Sequence, residues 1–133
     1  MNTTEYEELI SIGDLAKSLS LTTRTLRYWE EAGIIEAAPR SEGSNRFYTT
    51  DIAKRVRFII KLKELGLTIQ ELQDLYIAYG EVKRTDRMIP ALIHILDKHI
   101  DLVDDKIARM ASLRKDIVEY SQRMASKLNS IDK

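Results

Sequence analysis

At 133 residues, with 44% hydrophobic and 32% charged side chains, the chain has the length of one globular domain plus an appendage and a helix-rich, soluble composition. It contains no cysteine, which excludes disulfides, thiolate metal sites, iron–sulfur ligation and thiol redox chemistry, and it has only two histidines. No run approaches the roughly 18 apolar residues of a membrane span and no basic-then-apolar leader opens the chain, so a cytoplasmic location without membrane contact is expected.

The net charge of zero hides an uneven distribution. Residues 1–16 carry four acids and no base, residues 17–63 ten bases against five acids, and residues 64–133 eleven bases against twelve acids. The middle segment therefore holds an excess of five positive charges. Such an excess is informative only where it coincides with a fold signal, because many solvated faces look the same.

Residues 1–8 are polar and acidic and read as a flexible N-terminus. Leu9, Ile10 and Ile12 suit a short strand or lead-in. Asp14 suits the N-cap of a short helix that turns Leu15, Ala16 and Leu19 inward. After a break at Leu19-Ser20-Leu21, Thr22 caps a second helix to about Ala32, with Gly33 in the positive-φ position that closes it. Two short helices joined by a tight turn form a helix-turn-helix. Ile34 to Pro39 reads as an extended connection, Arg40 to Asn45 as a turn cluster, and Arg46 to Thr49 as a strand; together these make a small hairpin, a wing. Thr50 is the expected cap of a third helix to about Leu65, burying Ile52, Val56, Ile59, Ile60 and Leu62 and ending at Gly66. Thr68 opens a fourth helix with a capping-box pattern, Thr-Ile-Gln-Glu, and Gly80 closes it near Tyr79.

Residues 81–87 read as a joint, residues 88–128 as one long helix, and residues 129–133 as a tail. The long segment has no glycine, and its only proline, Pro90, falls where a first helical turn tolerates it. Apolar residues recur at Ile93, Leu96, Ile100, Val103, Ile107 and Met110, then at Leu113, Ile117, Tyr120 and Met124 after a one-step shift. That is a heptad stripe with a local break, and forty such residues extend roughly 60 Å. Nothing else in the chain is large enough to cover the stripe, so pairing with a second copy is expected over folding back. The fold class is thus mainly α: a winged helix-turn-helix domain over 9–80 followed by a long dimerisation helix.

Four segments, in order, carry a resemblance: Ile12-Gly13-Asp14-Leu15-Ala16, Arg24 through Ile35 (RTLRYWEEAGII), Asn45-Arg46-Phe47-Tyr48-Thr49, and Ile59 through Leu72 (IIKLKELGLTIQEL). Residues 10–80 closely resemble the MerR family of bacterial regulators. The resemblance implies a homodimer joined by an antiparallel two-stranded coiled coil. It further implies binding to a pseudo-palindromic promoter site in double-stranded DNA, distortion of that site, and RNA polymerase as a partner at the promoter. Association with the nucleoid would follow from DNA binding.

A recognition helix presents its N-terminal side chains to base edges, here Thr23 and Arg24, and an arginine can bond a guanine edge bidentately. Arg27, Tyr28, Arg46 and Lys63 fall on positions that grip phosphates in the family, and Tyr48 beside Arg46 joins the DNA-binding set. Leu26 belongs to the core; a core aromatic is the alternative reading for Tyr28, and for Trp29 that reading is equal. Arg40, Arg57 and Lys61 read as solvated charges. The dimerisation set is Ile93, Leu96, Ile100, Val103, Ile107, Met110 and Ile117.

Metal-sensing relatives use cysteines that this chain lacks. His94 and His99, five apart, lie on different helix faces, so no metal site and no cofactor are expected. The chain ends within a few residues of the long helix, which predicts no appended ligand domain. Leu75, Tyr76, Tyr79 and the 81–90 joint are then the neighbourhood for a small non-metal effector, with packing between the fourth and the long helix as the structural alternative. The short, cysteine-free layout resembles relatives that control fatty-acid or branched-chain amino-acid catabolism, which implies an acyl-CoA-type ligand. No phosphate-binding glycine loop and no nucleophile–base pair is present, so no enzyme is expected. The alternative function is an architectural DNA-binding protein, excisionase-like or chromosome-organising, without promoter switching.

Overall fold

A computed structural model describes residues 8–39, 41, 45–80 and 84–131. The elements in order are β1 (Ile10–Ser11), α1 (Ile12–Ser18), α2 (Thr23–Glu31), β2 (Phe47–Tyr48), α3 (Thr50–Glu64), α4 (Ile69–Tyr79) and α5 (Thr85–Ile131). The expected flexible N-terminus and most of the Arg40–Asn45 turn cluster lie outside the described residues, as do the first three residues of the 81–87 joint. Contacts divide the chain into two compact units, Met1–Leu92 and Ile93–Lys133. No helix among the described residues is long and apolar enough to cross a membrane.

Hydroxyl caps set the helix starts in the first unit. Ser11, extended at φ −65°, accepts the amide of Asp14 at 3.1 Å and so caps α1. Asp14 was the expected cap; it lies one turn further on, where its carboxylate still favours the positive helix end. Thr22 caps α2 by accepting the Thr25 amide at 3.1 Å. Thr49 rather than Thr50 caps α3, since Thr49 leaves β2 extended and its hydroxyl reaches the Ile52 amide at 3.2 Å. In α4 both halves of the capping box form: the Thr68 hydroxyl accepts from the Glu71 amide at 3.1 Å, and the Glu71 carboxylate accepts from the Thr68 amide at 2.9 Å. Gly33, with φ +79°, takes the left-handed step after α2 that a side chain would resist.

β2 pairs antiparallel with β1, Ile10 opposite Tyr48 and Ser11 opposite Phe47. The expected wing hairpin is thus anchored to the lead-in before α1. The Ile12 amide bonds the Arg46 carbonyl at 2.9 Å, and across the hairpin Ala38 donates to the Phe47 carbonyl at 2.7 Å.

The core gathers one face of each of α1, α2, α3 and α4 together with Tyr48 of β2. Leu15, Leu26, Ile34, Ile35, Tyr48, Val56 and Leu67 are its largest fully enclosed side chains. Each buried aliphatic side chain contributes roughly 1.5–3 kcal/mol by leaving water. Leu26 lies where expected, and Trp29 is a core aromatic. Ile60 is only half-buried, while Ile34, Ile35 and Ala38 of the supposed connection are buried.

α5 begins three residues before the expected start, at Thr85, and runs to Ile131. Pro90 is therefore its sixth residue, past the first turn, and removes the bond the Asp86 carbonyl would accept. None of its described residues is buried, and its apolar stripe stands open.

Candidate nucleic-acid interface

Burial sorts the residues of α2 into two faces. Leu26 and Trp29 point into the core, which leaves Thr23, Arg24 and Tyr28 exposed and Arg27 half-buried. Arg24, Arg27 and Tyr28 share one outward stripe by their three- and four-residue spacing. Thr23 and Arg24 occupy the first turn, where no acid opposes the positive helix end. Tyr28, 52% exposed, presents an aromatic face and a hydroxyl to solvent.

The wing meets this helix through one carboxylate. Glu30 Oε1 lies 3.1 Å from Arg46 Nη1, and Glu30 Oε2 accepts from the Tyr48 hydroxyl at 3.3 Å. The Arg46 side chain remains 29% exposed, against 17% for Glu30. Arg46 Nε is buried without a hydrogen-bond partner. Tyr48 is fully buried. Burial foremost, then the Glu30 charge and hydrogen bond, push its phenol up to about 12, while Arg46 and Arg27 pull the other way.

Tyr48 thus corrects an expectation: it is a core residue whose hydroxyl is committed to Glu30, with no surface left for a phosphate. Lys63 is exposed in the last turn of α3, its ammonium donating to the Leu67 carbonyl at 3.1 Å. Arg57 and Lys61 are exposed on the same helix; Arg40 lies outside the described residues.

The residues expected near an effector do meet a cavity, of about 390 Å³, between α3, α4 and the start of α5. Leu75 is buried in its wall, and Tyr76 and Tyr79 line it with Phe58, Leu72 and Met88. Tyr76 donates its hydroxyl to Glu36, which also pairs with Arg55 at 3.2 Å, and the Arg55 guanidinium lies 5.0 Å from the Tyr76 ring centre. The bond to Glu36 raises the Tyr76 phenol above its ordinary value. In α5, Ile93, Ile100, Val103, Ile107, Met110 and Ile117 are each more than half exposed, and Leu96 is half-buried. Among the described residues no group of three or more His, Cys, Asp or Glu could hold a metal ion.

Sequence reasoning missed Glu30, Glu36 and Arg55. Glu30 sits 16 positions from Arg46 and 18 from Tyr48, and Glu36 sits 40 from Tyr76, so no local spacing announces these contacts.

Residues 10–76 match the family model described as MerR HTH family regulatory protein, and residues 53–120 match one described as MerR, DNA binding. The chain is 32% identical to the HTH-type transcriptional regulator ZntR homolog of Haemophilus influenzae, over 88% of this chain and 84% of that protein. It is similar to the transcription regulator PbrR691 from Ralstonia metallidurans, solved in complex with lead(II), at 25% identity and a TM-score of 0.67 over 83% of each chain. It shares its fold with HiNmlR, a MerR family regulator lacking the sensor domain and bound to promoter DNA: 16% identity, TM-score 0.53, 87% of this chain and 92% of that one. The chain spans only 42% of the length of another relative, the nodulation protein NolA of Bradyrhizobium elkanii, at 31% identity.

Proposed function

Since the chain belongs to the MerR family of transcription regulators and is not an enzyme, we propose that it binds a pseudo-palindromic promoter site as a homodimer and distorts that site to control transcription by RNA polymerase at the promoter. The observation that carries the reading is the outward stripe of α2, with Thr23, Arg24 and Tyr28 exposed beside a wing arginine tied to the same helix. Thr23 and Arg24 read base edges; Arg27, Tyr28, Arg46 and Lys63 hold phosphates on either side. Residues 9–80 bind DNA, 81–87 form the joint, and 88–128 pair two copies. Deformation of base pairs the protein does not touch then adds sequence dependence.

The apolar stripe of α5 supports the dimer, because several large side chains spaced by three and four stand open to water on one helix. For the signal, the reading is a small non-metal ligand at Leu75, Tyr76 and Tyr79. The lining of the 390 Å³ cavity, aromatic and aliphatic side chains with Asp51, Lys54 and Arg55 among them, favours an organic molecule with polar groups, and the chain has no thiolate to offer a soft metal.

Footprinting on genomic DNA combined with a circular-permutation bending assay tests the proposal. One protected pseudo-palindrome between promoter hexamers, bent when bound, is the expected result. Protection scattered over many unrelated sites would replace the promoter switch with an architectural role.

A further inference from the structure

The Glu30–Arg46 pair joins two elements that meet DNA separately in the reading above. Glu30 is on α2 and Arg46 immediately precedes β2. An arginine has five N–H donors in a fixed plane. Here Nε faces inward with no acceptor, so the interior does not hold the group by that atom. Nη1 is held by Glu30 at 3.1 Å. The Arg46 side chain as a whole remains 29% open to solvent. Glu30 is itself braced, because its second oxygen accepts from the Tyr48 hydroxyl inside the core. The order is therefore core tyrosine, carboxylate, guanidinium, solvent.

We propose that Glu30 is the positioning residue for Arg46, holding its guanidinium plane fixed against α2 so that the free donors face a DNA phosphate. The inference rests on the reading of Arg46 as a phosphate contact. A flexible arginine loses rotamer freedom when it grips a phosphate, and a side chain already held loses less. The Tyr48 phenol, raised to about 12, keeps its proton and remains the donor to Glu30 across the working range. The neighbouring Glu31 is exposed on the outward stripe and has no such brace, which separates two adjacent glutamates by role.

The test is a double-mutant cycle on the full chain, with a duplex selected from a random pool by the unaltered protein as probe and fluorescence anisotropy as readout. Glu30→Gln keeps the shape and an acceptor oxygen but removes the charge; Glu30→Ala removes the brace altogether. Glu30→Gln is expected to weaken binding about five- to tenfold, and Glu30→Ala at least as much, with each loss falling below twofold when Arg46 is already alanine. A thermal melt of each variant checks that the fold persists, and Glu30→Gln carries the test if Glu30→Ala does not fold. An equal loss in both backgrounds would show that Glu30 acts through the fold and not through Arg46. Unchanged or tighter binding in the Glu30 variants would overturn the inference too, since a carboxylate that competes with phosphate strengthens binding when removed. If Arg46→Ala alone leaves affinity unchanged, the phosphate reading falls first and the positioning role with it.

Discussion

The two units use their apolar residues in opposite ways. In Met1–Leu92, helices of 7 to 15 residues each turn a narrow face inward, and Leu15, Leu26, Val56 and Leu67 are almost entirely withdrawn from water. In Ile93–Lys133 one helix carries as regular a pattern, yet Ile100, Ile107, Met110 and Ile117 each remain more than half exposed. Periodicity alone therefore does not report burial. The first unit satisfies its pattern with neighbours from its own chain; the second leaves its pattern exposed. Stability of the first is a property of the sequence, whereas order in the second depends on protein concentration if a second copy covers the stripe.

The largest effect should come from breaking the first unit alone. Val56→Asp places a carboxylate where no side-chain surface reaches water, at a cost of about 4 kcal/mol or more, comparable with the whole stability of a small domain. Loss of the cooperative melt and of DNA binding is expected by circular dichroism and anisotropy. A variant that still melts cooperatively near the original temperature would mean the core is not centred on α3.

Breaking the second unit should leave the first intact. Glutamates at both Leu96 and Val103 are expected to raise the dimer dissociation constant by at least about a hundredfold while the melt of the DNA-binding unit stays put. Sedimentation equilibrium reads the first quantity. Persistent dimers at micromolar concentration would displace the proposed seam to another face of α5.

The smallest effect sharpens the contrast by pH. The Tyr48 phenol is raised from 10.0 to about 12, so the folded state favours its neutral form. That contribution is fully present below pH 10 and is lost as pH rises through 12, amounting to about 3 kcal/mol at most. Tyr48→Phe should flatten the alkaline fall in stability of the first unit relative to the unaltered chain. Denaturant melts between pH 9 and 12 check this, and identical slopes for the two proteins would remove the Tyr48–Glu30 bond from the account.

What could be read from the sequence was whatever is decided locally. Thr22, Gly33, the Thr68–Glu71 box and Gly80 mark helix ends within four residues of their partners, and each lies as expected. Where two capping residues sit side by side the choice depended on tertiary structure: Thr49 wins over Thr50 because β1 holds β2 extended up to it. Ser11 displaces Asp14 for a similar reason, since the ladder ends there. Tyr48 was beyond reach, because an amphipathic ring beside an arginine suits a core as well as a groove. Its fate was settled by Glu30, 18 residues earlier.

One turn residue carries a separate consequence. Ser20, between α1 and α2, holds φ at +56°, the only non-glycine among the described residues with positive φ. An L-residue there costs roughly 1–2 kcal/mol relative to the right-handed region, a penalty glycine does not carry. The turn of the helix-turn-helix is thus a place where the chain has stopped short of its attainable stability. Over generations Ser20 can drift toward glycine or asparagine with a gain in stability, while β-branched replacements at the same position meet the strongest resistance.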